Sequence, residues 1–495
     1  MSVGVRGSLE IGQRLDFSKD DVELATRTPV PQSSSNVQIA QDTEPLVDVL
    51  DATNSDSPTA NVSSLPAIDG GFGAWSFLAA AFMVDTVVWG FPSAYGTLLD
   101  AYLDDPLYRS QPRATSLLAL IGPIVSGVMH CSSPVINPIL YRYPKCARPL
   151  VWVGTLLCAV SLFSSSYART AKQLLALQGV IYSIGGSFIY VPTIFYMSQW
   201  FVERRGMANG IMFAGTSVGG VVVPLALPPL IARFGIPTTL QIFAGAILVA
   251  LVPFLTFIRG RLPEVRNQVH GPEPRNRKEW YKEEAFLLLL ATNTLQAFGY
   301  FVPLLWLPTF ASELNLSASK SSLTLTLLNA TSAFGRLGTG FLSDRFNPWS
   351  LAFGMLILSA FSALVLWGVL SYTFAGVIAF SAVYGVVSAG WATLWTGFIR
   401  PIAKDDPNLS TTLFGWLLLT RGLGNILSTP ISTVLESSSM ASRTHKLDLG
   451  FDVAGGKYEK MIIYTGTCFV GAALIVVLGW GAEFRKRREQ HGTGI

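Results

Sequence analysis

Residues 461–482 read MIIYTGTCFVGAALIVVLGWGA, twenty-two positions without a single charge. As an α-helix rising 1.5 Å per residue, this stretch is about 33 Å long, enough to cross a hydrocarbon core of about 30 Å. Eleven further stretches meet the same test or come close. They run over 73–95, 114–140, 149–166, 173–197, 207–230, 238–258, 285–310, 321–342, 350–370, 372–399 and 411–434. The whole chain is half hydrophobic and 13% charged, with a mean hydropathy of +0.44, above what a soluble fold of ordinary composition carries. The reading is an all-α membrane protein of twelve transmembrane helices.

The polar segments divide that array. Residues 259–284 carry seven basic and five acidic side chains, separating six spans from six more. Five regions follow: a tail over 1–68, a six-helix half over 69–258, the linker over 259–284, a second half over 285–482 and a basic tail over 483–495. The first tail holds four basic and ten acidic residues and no apolar run, so it is expected to stay disordered. No cleavable signal peptide is recognised in it. Lys and Arg accumulate on the cytoplasmic side of membrane proteins. With the N-terminus inside, the inner connections hold 19 of them and the outer ones 10, which places both tails and the linker in the cytoplasm. The basic run Arg485–Arg488 then meets anionic headgroups. Asn315-Leu316-Ser317 is the glycosylation candidate near the outer face, and Asn61-Val62-Ser63 lies on the wrong side.

Six spans, a linker and six spans is the layout of two parallel repeats. Sliding the chain by 205 residues lays Gly210, Ser217 and Gly219 of span five over Gly415, Gly422 and Gly424 of span eleven. Small residues at matching depths let helix backbones approach closely in lipid.

Two strings carry a family resemblance: Asp69-Gly70-Gly71-Phe72-Gly73-Ala74-Trp75, and Trp200-Phe201-Val202-Glu203-Arg204-Arg205-Gly206-Met207-Ala208-Asn209-Gly210. Both resemble signatures of the monocarboxylate transporter (monocarboxylate porter) family of the major facilitator superfamily. The resemblance implies the major facilitator fold, two six-helix pseudo-repeats, and transport of a small solute by alternating access. A third string, Gly335-Arg336-Leu337-Gly338-Thr339-Gly340-Phe341-Leu342-Ser343-Asp344-Arg345, looks like the superfamily's loop motif. There an acid and an arginine lock neighbouring helices, so Arg204, Arg205, Asp344 and Arg345 are the gating candidates. The matching place in the first half has Tyr141 where an acid is expected. The family's animal members carry a lysine after Phe-Pro in span one and an acid four residues before the span-eight arginine. Here Ser93 and Ser332 stand in those places, which argues against simple proton–monocarboxylate cotransport and resembles the fungal branch.

An ionised side chain at mid-depth costs about 2.5–3.5 kcal/mol on insertion scales, so each one needs a reason. Asp85 and Arg421 fall near the middle of spans one and eleven, and Arg336 lies nearer the cytoplasmic end of span eight. The functional reading pairs an arginine with an anionic solute and lets Asp85 take up a proton or balance an arginine. The other reading is an internal ion pair that only holds helices together. The resemblance also assigns Arg336 to the substrate. Gln178, Asn293 and Gln296 are further polar candidates for the pathway, and the helical spacing of Trp391 and Trp395 predicts two rings on one face.

Enzymatic readings find little support. No nucleophile with a base and no metal-ligand spacing is present, and of His130, His270, His445 and His491 only His130 lies in a span. No cofactor or nucleic acid is expected, and without a P-loop ATP is not the driving force. The expected protein is a monomer in the plasma membrane, or else in a vacuolar or other internal membrane, moving a small organic solute of anionic or carboxylate-like character, with or without coupled protons. Uptake, efflux and a transporter-like nutrient sensor remain open.

Overall fold

The computed structural model describes residues 65–262, 280–404, 406–437 and 449–492, all within one compact unit, Ser63–Ile495. The expected disorder of the first tail concerns residues that lie, except for 65–68, outside the described ones. So do Asn61, His270, His445 and the middle of the linker.

Among the described residues the secondary structure is helical throughout, and nine stretches are long and apolar enough to cross a membrane. The first four are α1 (Gly71–Asp104), α2 (Ala114–Arg142), α3 (Pro144–Ser165) and α4 (Ala171–Trp200). The fifth stretch, Arg205–Leu255, is two helices, α5 over 205–234 and α6 over 236–255, because Gly235 takes φ 75° and ψ 167° and reverses the chain. Only glycine adopts that conformation cheaply, and Pro237 suits the first turn of the helix that follows. The connection expected over 231–237 is thus reduced to one residue. After the linker come α7 (Glu284–Glu313), α8 (Ala318–Ser343), α9 (Pro348–Leu370) and α10 (Phe374–Ala403). The last two are α11 (Pro407–Ser437) and α12 (Glu459–Gly492).

α8 and α11 complete the twelve but are less apolar than the rest. Their polar residues face inward: Ser332, Arg421 and Asn425 are all buried. The outer surface is the reverse. Val249 is 78% exposed and Phe334 71%, values that fit a lipid-covered wall and not a wet one.

Close approach at small residues brings the helices together, and it repeats between the halves. A Cβ on Gly219 would lie 2.2 Å from the Thr86 carbonyl oxygen of α1, and one on Gly424 would lie 2.4 Å from Ala297 Cβ of α7. Gly210 meets α8 at the Arg336 carbonyl, whereas Gly415 meets α2 at Ser133 and Asn137. Ser217 Oγ sits 2.6 Å from Ser332 Oγ of α8, whereas Gly422 sits on His130 and Cys131 of α2. Each member of the three pairs, 205 residues apart, therefore touches the equivalent helix of the repeat. Two seams, α5 with α8 and α2 with α11, join the halves.

Gly219→Ala is expected to destabilise the purified protein by about 1–3 kcal/mol through overpacking. Gly245, where a Cβ meets nothing within 4 Å, is the control, and its alanine variant should melt no lower than the parent. Equal melting temperatures for the two variants in detergent would show that α1 and α5 tolerate separation.

Candidate functional site

Asp85, in the middle of α1, is fully buried. Its Oδ2 accepts hydrogen bonds from the Thr216 backbone N–H of α5 at 3.1 Å and from the Thr216 hydroxyl, while Oδ1 has no partner. A hydroxyl and an amide supply its hydrogen bonds, and Arg336 is the arginine whose charge acts on it. Arg421, 6% exposed on α11, donates from Nη1 to Gln296 Oε1 of α7 at 3.1 Å. Its guanidinium lies 4.6 Å from the Tyr300 ring centroid and 5.3 Å from that of Phe301, within cation–π range.

These two pairs occupy equivalent places. The 205-residue shift carries Thr216 to Arg421, and a shift of 211 carries Asp85 to Gln296 and Thr86 to Ala297. The same register joins Gly215, against the Phe82 carbonyl, to Thr420, which accepts from Asn293 Nδ2 at 2.7 Å. One half thus places an acid against a hydroxyl, and the other places an amide against a guanidinium, at the same depth.

Asn293 ties three helices. Besides Thr420 it reaches the Leu417 carbonyl at 2.7 Å, and its Oδ1 accepts from Trp391 Nε1 at 2.8 Å. Residues Gly390–Leu394 form a 3₁₀ segment in place of the α-helical winding on which the expectation of two rings on one face was based. Trp395 packs edge-on to Phe414 of α11, ring centroids 5.1 Å apart, and Phe414 stacks on Phe213 of α5. Arg336 donates from Nη1 to the Phe213 carbonyl, across the α5–α8 seam, and its Nε has no partner. Gln178 stands apart from this group. It lies inside the first half, donating to the Tyr102 hydroxyl at 2.7 Å.

Three residues that sequence reasoning left out of the site stand beside it. The Trp89 ring of α1 is 4.6 Å from His130 of α2 and 5.3 Å from Tyr190 of α4, and Trp89 Nε1 is buried without a partner. His130 Nδ1 is 2.7 Å from the Ser126 carbonyl oxygen, and its Cβ backs onto Gly422, next to Arg421. His130 was visible as the one histidine in a span, but its neighbours come from other helices and leave no pattern along its own.

At the end of the bundle that carries the linker, the halves are sealed. Asp344 accepts from the backbone N–H groups of Gly206 and Met207, both at 2.8 Å, at the start of α5 where helix amides are free to bind a carboxylate. Arg205 donates to the Phe201 and Ser198 carbonyls at 2.9 Å and reaches Ser410 Oγ of α11. Arg204 gives its backbone N–H to Asp69 of the same half, and its side chain is exposed. Arg345 is exposed as well, stacked 3.9 Å over the Phe341 ring. On the second seam, Tyr141 donates to the Asn408 carbonyl at 2.5 Å. A phenol thus does on α2 what a carboxylate does at the end of α8. At the opposite end Asn315, exposed and left-handed at φ 56°, turns the chain between α7 and α8.

Comparison with known proteins places this architecture. The model of the Major Facilitator Superfamily matches residues 77–429. The Fujikurins efflux protein of Gibberella fujikuroi is 30% identical over 481 residues, 96% of this chain and 97% of its own. The Aspyridones efflux protein apdF of Emericella nidulans is 25% identical, over 87% of this chain and 83% of its own. The crystal structure of FucP, a major facilitator transporter in the outward conformation, has a TM-score of 0.57 at 10% identity, covering 80% of this chain and 98% of that one, a likeness of fold. The chain belongs to the Major Facilitator Superfamily, and is a multi-pass membrane transporter of small solutes and not an enzyme.

Proposed function

We propose that this transporter exports a small organic anion by alternating access, with the halves 69–258 and 285–482 rocking against each other about the two seams. The observation that carries the reading is the charge balance within the spans. Among the described residues, two guanidiniums, Arg336 and Arg421, stand within the spans against one carboxylate, Asp85, and no carboxylate pairs with Arg421. A buried cation held by a neutral amide and two rings is costly unless an anion visits it. Efflux is favoured over uptake by the relatives named for export, which match nearly the whole chain.

Asp85 is the candidate proton carrier, its free Oδ1 being the acceptor. Protons entering would then drive the anion out. The linker face, rich in Lys and Arg, is the cytoplasmic one, and the plasma membrane is the site that suits export. Placement within the monocarboxylate porter branch rests on the two strings at Asp69 and Trp200, with the departures at Ser93 and Ser332.

Comparing solutes inside and outside cells with and without the gene tests the export reading: an organic acid should accumulate inside when the gene is lost, and unchanged pools would refute it. With that solute in proteoliposomes, Arg421→Gln should slow transport by about tenfold or more, the worth of a charged hydrogen bond. Wild-type kinetics in that variant would make the arginine structural. Asp85→Asn should abolish accumulation driven by an imposed pH gradient while sparing solute exchange; accumulation at the parent's level would remove Asp85 from the coupling path.

A further inference from the structure

The two signature strings meet at one turn of backbone. Asp69 is left-handed, φ 56°, and its N–H donates to the Trp200 carbonyl at 3.0 Å. Its carboxylate accepts from the N–H groups of Val202 at 3.1 Å, Glu203 at 3.0 Å and Arg204 at 3.0 Å. Two residues on, Gly206 and Met207 give their N–H groups to Asp344. Five of the six amides over 202–207 therefore serve two carboxylates. Asp69 belongs to the same half as the turn, and Asp344 belongs to the other. The intervening Arg205 spends its guanidinium on Phe201, Ser198 and Ser410.

The two sets of bonds fare differently when the halves part. Asp344 must leave its amides, whereas every contact of Asp69 to the turn stays within the first half. Backbone amides are aimed by the dihedrals of the residues before them, so the orientation of the Gly206 and Met207 N–H groups depends on how firmly 202–204 are held. Packing leaves little slack there. A Cβ on Gly206 would lie 2.7 Å from the Gly340 carbonyl oxygen, and one on Gly340 would lie 2.5 Å from that of Gly206.

We propose that Asp69 is a positioning residue for the latch between the halves: its carboxylate fixes the turn 202–204 so that the Gly206 and Met207 amides face Asp344. A contact internal to one half thereby sets how tightly the linker face closes. The inference rests on the rocking of the halves and not on the solute carried.

The test measures the distance between the halves by pulsed dipolar spectroscopy on the full chain. One spin label goes on the native, exposed Cys146 and the other on an exposed site of the second half, with Ser350→Cys and Cys131→Ser as background. Asp69→Asn should shift the ratio of closed to open populations by about tenfold toward open, the scale of a lost charged hydrogen bond. Asp344→Asn should do the same, and the double variant should open no further than Asp344→Asn alone, because Asp69 acts through Asp344. Asp69→Ala, which removes both oxygen acceptors, should open at least as far as Asp69→Asn, which keeps one, and is read by the same criterion if the asparagine variant fails to assemble. A parental distance distribution in the Asp69 variant, or shifts that multiply in the double variant, would overturn the proposal.

Discussion

Close backbone approach between helices is the constraint on which the rest depends. Lipid tails are as apolar as leucine, so helices in a bilayer gain little from hiding their side chains and associate through packing at small residues. In this chain two such contacts recur at equivalent places in the halves, Gly219 on Thr86 and Gly424 on Ala297. Those two approaches set the depth at which α1 meets α5 and α7 meets α11, and so bring Asp85 to Thr216 and Gln296 to Arg421. The site follows from the packing.

The repeat gives this arrangement its chemical sense. Two halves built alike would carry like groups at like depths, and a symmetric pair of charges would bind nothing selectively. Here the equivalent positions have diverged, to an acid and hydroxyl in one half and an amide and guanidinium in the other. The seams have diverged in the same way. Asp344 holds α5 through charge, and Tyr141 holds α11 through a neutral phenol. A transporter must close at one face without closing permanently, and a carboxylate on free helix amides is strong enough to seal and small enough to leave.

The fold was legible because each span is a nearly unbroken apolar run, and because glycines such as Gly210 and Gly415 keep their spacing across the repeat. α8 and α11 were legible despite their polar residues, most of which are uncharged Ser and Thr. Less could be read of the site. Asp85, Arg336 and Arg421 stand out by cost alone, but their partners are set by tertiary contact, and no feature around residue 85 points to Thr216. The 3₁₀ winding of residues 390–394 was invisible in the spacing of Trp391 and Trp395. Gln178 looked like any other polar group in a span, and only its contact with Tyr102 separates it from the centre. Asp69 stood out only as the first residue of its string; in the structure it holds a loop more than 130 residues away.

The central claim is that an organic anion is held at mid-depth between unlike halves. A cryo-electron microscopy structure with the exported solute bound tests it most directly. The account predicts density for the acidic group of the solute against the Arg421 guanidinium, between α7 and α11, with the Gln296 contact loosened and Asp85 close by on the facing half. Solute bound away from both residues, with Arg421 still seated on Gln296 and its rings, would contradict it.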